Sequence, residues 1–260
     1  MAVIGIVWKW VRLFAIQLAL VGGAILAYFG VRGLTEGAIE TANRNAERLL
    51  EVERFLGIDL ELGIQARTLS SEWLTDLGNW VYIWLHWPVI AVTLIWLVIR
   101  KWDDYIQLRN AMFISGAIGL VIFFSLPVTP PRLFDPAYID TVTERSHSYR
   151  VLQPPNLVNK YAAMPSLHFG WNLLVGITWW QLSRVWWQKV AAVVMPIAMA
   201  FATVMTANHW VADVLVGGVV ALIGLALERR RRRWPWTRDP IDEGAAVPAS
   251  TETSEKLATS

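Results

Sequence analysis

Apolar residues fall in long runs along this chain, and polar residues break them mainly at their ends. Six runs approach the roughly 20 mostly apolar residues that a membrane-crossing helix needs: about 8–31, 73–99, 110–127, 166–182, 188–207 and 209–228. Lys9 and Arg12 before the first run are compatible with a signal peptide, but its length, its apolar start and the lack of a small-x-small site favour a retained span. Between the first two runs the pattern changes. Ile39, Ala42, Ala46, Leu49, Val52 and Leu56 recur at helical spacing on one side, which predicts an amphipathic helix lying on the membrane and stopped by Gly57. From about residue 239 the chain is Ala/Thr/Ser/Glu/Pro-rich without periodicity, the signature of a disordered tail.

Composition supports the membrane reading. Apolar residues make up 55% of the 260, charged residues 17%, and mean hydropathy is +0.40, too little polar surface for a soluble fold. Among the 16 Trp, Trp8, Trp10, Trp179, Trp180, Trp186 and Trp187 stand near the ends of runs, where amphipathic rings suit the headgroup region better than a core. A net charge of +2 implies no nucleic-acid partner. The block Arg229–Arg233 follows an apolar run, so it marks a cytoplasmic helix end facing anionic lipid rather than a nucleic-acid patch or targeting signal. With the N-terminus inside, Lys9, Arg12, Arg100, Lys101, Arg109, Arg184, Lys189, Arg229–Arg233, Arg238 and Lys256 are cytoplasmic, 14 of the 23 basic residues. Both termini are then cytoplasmic, and the loop at 128–165 and the junction at 208–209 open outside. The absence of cysteine excludes disulfides, thiolate nucleophiles and Cys-ligated metals.

Polar groups inside membrane runs are costly and point to function. In Met164-Pro165-Ser166-Leu167-His168 the Pro-Ser pair reads as a helix start, with Ser166 near the N-cap. Such a start offers N–H groups and a positive dipole end to a phosphate, with His168 turned toward it. In Asn208-His209-Trp-Val-Ala-Asp213 the spacing of four puts the His and Asp on one helical face. The carboxylate can then fix the tautomer and leave the other ring nitrogen as nucleophile or base. In Thr129-Pro130-Pro131-Arg132 the guanidinium can clamp phosphate oxygens. Each motif alone is commonly structural. Under the topology above, all of them meet at the outer face.

Tyr161-Ala-Ala-Met-Pro-Ser-Leu-His-Phe-Gly170 and Asn208-His-Trp-Val-Ala-Asp-Val-Leu-Val-Gly-Gly218, with Arg132 upstream, resemble the motifs of the type-2 phosphatidic acid phosphatase superfamily. The likeness covers roughly residues 70–228, and the nearest branch is inositol phosphorylceramide synthase and its bacterial relatives. The resemblance implies a metal-independent enzyme without cofactor in a bacterial plasma membrane. It would act at the extracytoplasmic face on a lipid phosphate ester, with an alcohol or water as acceptor and an inositol-phosphate-type headgroup as possible cargo. By resemblance His209 is the nucleophile that forms a phosphohistidine, Asp213 orients it, and His168 protonates the leaving group. Arg132, Ser166 and Asn208 hold the phosphate. The departures matter. Ser125 stands where the phosphatase pattern has Lys, Leu133 where it has Pro, Leu167 where it has Gly, and Thr203 where it has Arg. Two phosphate-binding cations are missing, which favours the phosphotransferase branch. Arg145, Arg150 or Lys160 are candidates to compensate.

The expected architecture is an all-α integral membrane protein, a bundle of six transmembrane helices. It divides into a first helix (1–35), an extracytoplasmic amphipathic segment (36–70), the catalytic membrane domain (71–228) and a basic flank with tail (229–260). His86, by its count from the ends of its run, lies near the midplane, too deep for the outer cluster, as a buried hydrogen-bonded histidine; His147 is a loop residue. Three alternatives stay open: a simple polyprenyl or glycerolipid phosphatase, a zinc enzyme using His168, His209 and Asp213, and a non-enzymatic membrane protein.

Overall fold

In a computed structural model, residues 38–145 and 161–233 are described, with parts of 8–30. Those residues are helical and contain no strand; a single isolated parallel bridge joins Val128 to Ala162. The helices are α1 (Ile39–Leu56), α2 (Glu61–Leu69), α3 (Glu72–Trp84), α4 (Trp87–Arg100), α5 (Trp102–Ser125), α6 (Pro131–Phe134), α7 (Thr141–Arg145), α8 (Leu167–Leu182), α9 (Trp186–Met205) and α10 (Val211–Arg233).

Four stretches are long and apolar enough to cross a membrane: Glu72–Arg100, Trp102–Ser125, Trp186–Met205 and Val211–Arg232. They match the second, third, fifth and sixth expected spans within a few residues, except that α5 begins earlier. The expected fourth span is α8, whose 16 residues reach about 24 Å, short of a ~30 Å hydrocarbon core. About a third of the expected first span lies outside the described residues. Its described part includes the apolar helical stretch Ala15–Ala24, and Gln17 there accepts hydrogen bonds from Tyr105 and Arg109 of α5, each at 2.7 Å. The expected tail also lies outside the described residues from 234 onward.

α8 occupies the centre of the bundle, against α4, α5, α9 and α10. Around it Ile90, Leu97, Leu108, Met112, Leu174, Val175, Met195 and Ala221 form the main core. Small residues let the backbones close up. A Cβ at Gly176 would stand 2.5 Å from the Ala192 carbonyl, and one at Gly224 2.6 Å from that of Ala111. The outward faces remain apolar, with Val92, Ile95, Ile99, Val121, Phe124, Val194, Ile197 and Leu222 exposed, as a surface solvated by lipid tails requires. Trp180, Trp186 and Trp187 are exposed at the α8–α9 turn, whereas Trp210 is fully buried.

α1 ends where expected, at Gly57 in the left-handed conformation (φ 68). Its buried stripe is Ala42, Ala46 and Glu53, with Leu49 and Leu50 partly buried, while Ile39, Val52, Phe55 and Leu56 are exposed. The stripe packs on the protein. Ala46 meets Val128, Ala163, Met164 and Trp210, Asn45 donates to the Pro127 carbonyl at 2.8 Å, and Thr129 donates to Asn43 at 2.6 Å. α2 is tied in by Gln65, which bonds both ways with the Ile139 backbone and donates to the Met205 carbonyl at 3.3 Å.

Candidate active site

The site forms where α5 and α9 end and α8 and α10 begin. Ser166 is the N-cap of α8, in extended conformation, its hydroxyl accepting from the Phe169 N–H at 3.5 Å. The Ser166 N–H donates to the Asp213 carbonyl at 2.9 Å, so the starts of α8 and α10 are joined backbone to backbone. Gly217 makes that approach possible, since a Cβ there would sit 2.2 Å from the Ser166 carbonyl oxygen.

Between α9 and α10 the chain turns through Ala207, whose φ of 54 is left-handed, a strained choice for a residue with a Cβ. It is over-determined by its surroundings. The Ala207 N–H donates to Val204 and its carbonyl accepts from the Arg132 N–H at 3.0 Å, while the Thr203 carbonyl accepts from the N–H groups of both Asn208 and His209 at 3.1 Å. Trp210, donating from its indole to the Thr129 carbonyl at 2.9 Å, pins the next residue. His209 is thus presented from a rigid turn.

The imidazoles of His168 and His209 lie 5.8 Å apart between centroids. His209 Nδ1 is 2.8 Å from the Ala163 carbonyl and 3.5 Å from Asp213 Oδ2. A carbonyl only accepts, so Nδ1 carries the hydrogen and Nε2 keeps its lone pair. The tautomer expected from Asp213 is therefore held chiefly by a backbone oxygen, which the Val128–Ala162 bridge fixes through hydrogen bonds at Val128 and Ala163. Asp213, fully buried, accepts from the Trp210 N–H at 2.9 Å and supports the ring from a longer distance. His168 Nε2 is buried without a hydrogen-bond partner among the described residues.

Arg132 points to the same turn. Its Nε donates to Asn208 Oδ1 at 2.8 Å and its Nη1 to Asp140 Oδ2 at 3.2 Å. Asn208 in turn donates to Thr206 Oγ1 at 2.9 Å. Every expected site residue, Arg132, Ser166, His168, Asn208, His209 and Asp213, belongs to this one neighbourhood. Among the described residues no group of three His, Asp or Glu side chains is arranged to hold a metal ion. The zinc alternative, which needs His168, His209 and Asp213 converging on one point, has no such geometry.

His86 corrects the sequence reading. It is buried and hydrogen-bonded as expected, with Nδ1 3.2 Å from the Asn172 amide nitrogen, yet it is not remote. Its ring lies 4.1 Å from that of His168, which also stacks on Tyr82 at 4.6 Å. The reason is geometric. His86 stands fourteen residues before Arg100 at the end of α4, and His168 fourteen before Leu182 at the end of α8. At ~1.5 Å per residue both are about 21 Å from the same end of the bundle. The Glu72–Arg100 stretch is simply longer than α8, and the site is sunk below its top.

A model of the PAP2 superfamily matches residues 47–227 of the 260. The chain belongs to the PAP2 superfamily. No curated protein and no solved structure matches it. PAP2 membership makes this a phosphatase-type membrane protein of the lipid phosphatase and phosphotransferase class. Against the PAP2 pattern, the residues replacing the missing cations have other engagements. Ser125 is exposed and bonds back to the Val121 carbonyl at 2.7 Å; Thr203 is buried and bonds the Ala200 carbonyl at 2.8 Å. Of the candidate compensating cations, Arg150 and Lys160, and the Arg145 side chain, lie outside the described residues.

Proposed function

We propose that this PAP2 protein transfers a phosphoryl-containing headgroup from a lipid phosphodiester to an alcohol, through a phosphohistidine on His209, at the extracytoplasmic face. The observation that carries the reading is the facing pair of imidazoles, 5.8 Å apart, one with its Nδ1–H tied to the Ala163 carbonyl. In the first step His209 Nε2 attacks phosphorus. The bond from phosphorus to the lipid oxygen breaks, and that oxygen takes a proton from His168. In the second, His168 removes the proton of an acceptor hydroxyl, whose oxygen attacks phosphorus as the phosphorus–nitrogen bond breaks. Asp213 and the Ala163 carbonyl stabilise the charged His209 ring between steps.

The preference for a diester rests on charge. Arg132 is already paired with Asp140, and the two further cations of the phosphatase pattern are Ser125 and Thr203. A diester carries one negative charge where a monoester carries up to two, so it needs less compensation. Leu167 beside His168 adds apolar bulk against water. An inositol-phosphate-type headgroup fits this chemistry. Purified protein supplied with a labelled lipid phosphodiester and a phosphomonoester, each with and without polyol or lipid acceptors, tests it. Acceptor-dependent product from the diester is expected. Rapid phosphate release from the monoester, indifferent to any acceptor, would replace transfer with simple lipid phosphate hydrolysis.

A further inference from the structure

Two glutamates distant in sequence from every motif end at the nucleophile's helix. Glu53, from α1, accepts from the Ala212 N–H at 2.7 Å, and Glu61, from the start of α2, accepts from the Val211 N–H at 2.7 Å. Asp213 takes the Trp210 N–H. Three consecutive backbone donors at the start of α10 are thus each met by a different carboxyl. Glu53 is 0% and Glu61 1% exposed. The second oxygen of each is buried with no donor among the described residues, yet the two carboxyl groups are in side-chain contact. Two carboxylates facing each other in a buried space repel; with one proton between them they form a hydrogen bond and leave a single negative charge on the helix start.

We propose that Glu53 and Glu61 are positioning residues that share one proton and clamp the first turn of α10, so that His209 keeps its attacking geometry. The role of His209 rests on the proposed function; the clamp itself does not.

The surroundings favour the shared proton. Burial is the largest cause raising both groups, Glu53 to about 8, and each is raised further by Asp213 on α10. Glu61 also raises Glu53 through its charge. From the segment after α6, Tyr138 faces the pair and is itself pushed up to about 12 by burial and by Glu61 and Glu53. Arg54, the cation acting on Tyr138 from α1, is 64% exposed and lies 3.9 Å from Asp59, so it does little for the pair. His209, its Nδ1 3.5 Å from Asp213 Oδ2, completes the group.

Because Glu53 is raised from an ordinary 4.5 to about 8, the folded protein holds a proton across that window that the unfolded chain gives up. The contribution to stability is full below the lower value and is lost as pH rises through the upper one. Losing the shared proton sets two buried carboxylates against each other beside Asp213 and loosens the turn that presents His209.

The test measures turnover of a lipid phosphodiester, thermal unfolding in detergent, and hydrogen exchange of the Val211 and Ala212 amides, all against pH. The proteins are the wild type, Glu53→Gln, Glu61→Gln and Glu53→Ala. A glutamine amide supplies the donor without titrating, and its oxygen still accepts from the backbone. The wild type is expected to lose stability progressively as pH rises from about 4.5 to about 8, and to lose turnover and amide protection as pH rises through about 8. At least one single Gln variant should keep neutral-pH turnover within about threefold and lose that alkaline fall. Glu53→Ala should expose the amides and lower turnover about 10²-fold, the scale of a 1 Å misplacement. If Glu53→Ala fails to fold, the Gln profiles decide. Both Gln variants keeping the wild-type alkaline fall in exchange and unfolding would overturn the proposal, as would unchanged amide protection in Glu53→Ala. Exchange and unfolding profiles as expected, in a protein inactive on every lipid phosphate, would leave the clamp standing and remove the proposed function.

Discussion

Gly217→Ala is a one-methyl perturbation aimed at the seam between the two helix starts that frame the candidate site. The added Cβ would lie 2.2 Å from the Ser166 carbonyl oxygen, 2.9 Å from its carbon and 3.1 Å from its nitrogen. All of these are backbone atoms, so no side chain can swing away. Restoring contact near 3.4 Å requires the starts of α8 and α10 to part by about 1 Å. That movement separates His168, two residues beyond Ser166, from His209 and strains the Ser166–Asp213 backbone bond. A displacement of this size costs about 10²-fold in turnover. Overpacking costs about 1–3 kcal/mol in stability, against which Ala in place of a helical Gly returns about 1 kcal/mol. The expected variant therefore folds with slightly lowered stability and loses most of its turnover. Gly224→Ala is the control: its Cβ would meet the Ala111 carbonyl oxygen at 2.6 Å, a backbone clash of the same kind, somewhat milder, further along α10 from the histidines. Lipid phosphodiester turnover and thermal unfolding are measured on both. Gly217→Ala within about threefold of wild-type turnover would refute the reasoning, and so would Gly224→Ala falling as far.

Further substitutions probe the individual roles. His209→Ala should abolish both the phosphoenzyme, trapped by labelled substrate, and turnover, whereas His168→Ala should spare activated aryl esters and lose natural lipid esters; equal losses on both ester types would remove the acid role from His168. His86→Leu, which removes the ring 4.1 Å from His168, should repeat that leaving-group pattern more weakly, about 10-fold on the natural ester, and an effect identical for both esters would reduce it to packing. Asp140→Asn releases Arg132 from its ion pair at 3.2 Å and should lower KM for a phosphomonoester relative to a diester; unchanged selectivity would show that Arg132 does not read substrate charge.

The sequence made the bundle legible because membrane spans are written in run length, and four of the six expected runs return as long apolar helices. The start of α8 was legible because Pro-Ser states its own local geometry, whereas the His-x3-Asp spacing foretold a shared helical face and His209 instead stands in the turn before α10, 3.5 Å from Asp213. What remained hidden was set by distance across the fold. His86 was misplaced because its depth was counted from its own run, whereas its neighbours depend on where the shorter α8 begins. The Ala163 carbonyl, closer to His209 Nδ1 than Asp213 is, has no side-chain signature. Glu53 did leave a trace. It continues the spacing of Ala42, Ala46 and Leu49, so a charged residue stood on the apolar stripe of an amphipathic helix. A carboxyl in that register has a buried partner waiting, here the first turn of α10.

The two helix starts that meet at the site differ in what their backbone donors face. At α10 the N–H groups of Trp210, Val211 and Ala212 are taken by Asp213, Glu61 and Glu53. That positive end is filled by the protein's own carboxyls, and an incoming phosphate would meet negative charge there. At α8 the cap is the neutral hydroxyl of Ser166, and no carboxyl hydrogen bond to its first turn occurs among the described residues. An anion is therefore favoured at the start of α8, on the His168 side, with Arg132 and Asn208 flanking His209. The carboxyls that meet the start of α10 have a second consequence. They make the field around His209 negative, which in the proposed reaction would stabilise the ring as a cation bonded to phosphorus. On the proposed function, one helix start is left for the substrate's charge while the other serves the charge on His209, a division that would let a site poor in cations carry phosphoryl chemistry.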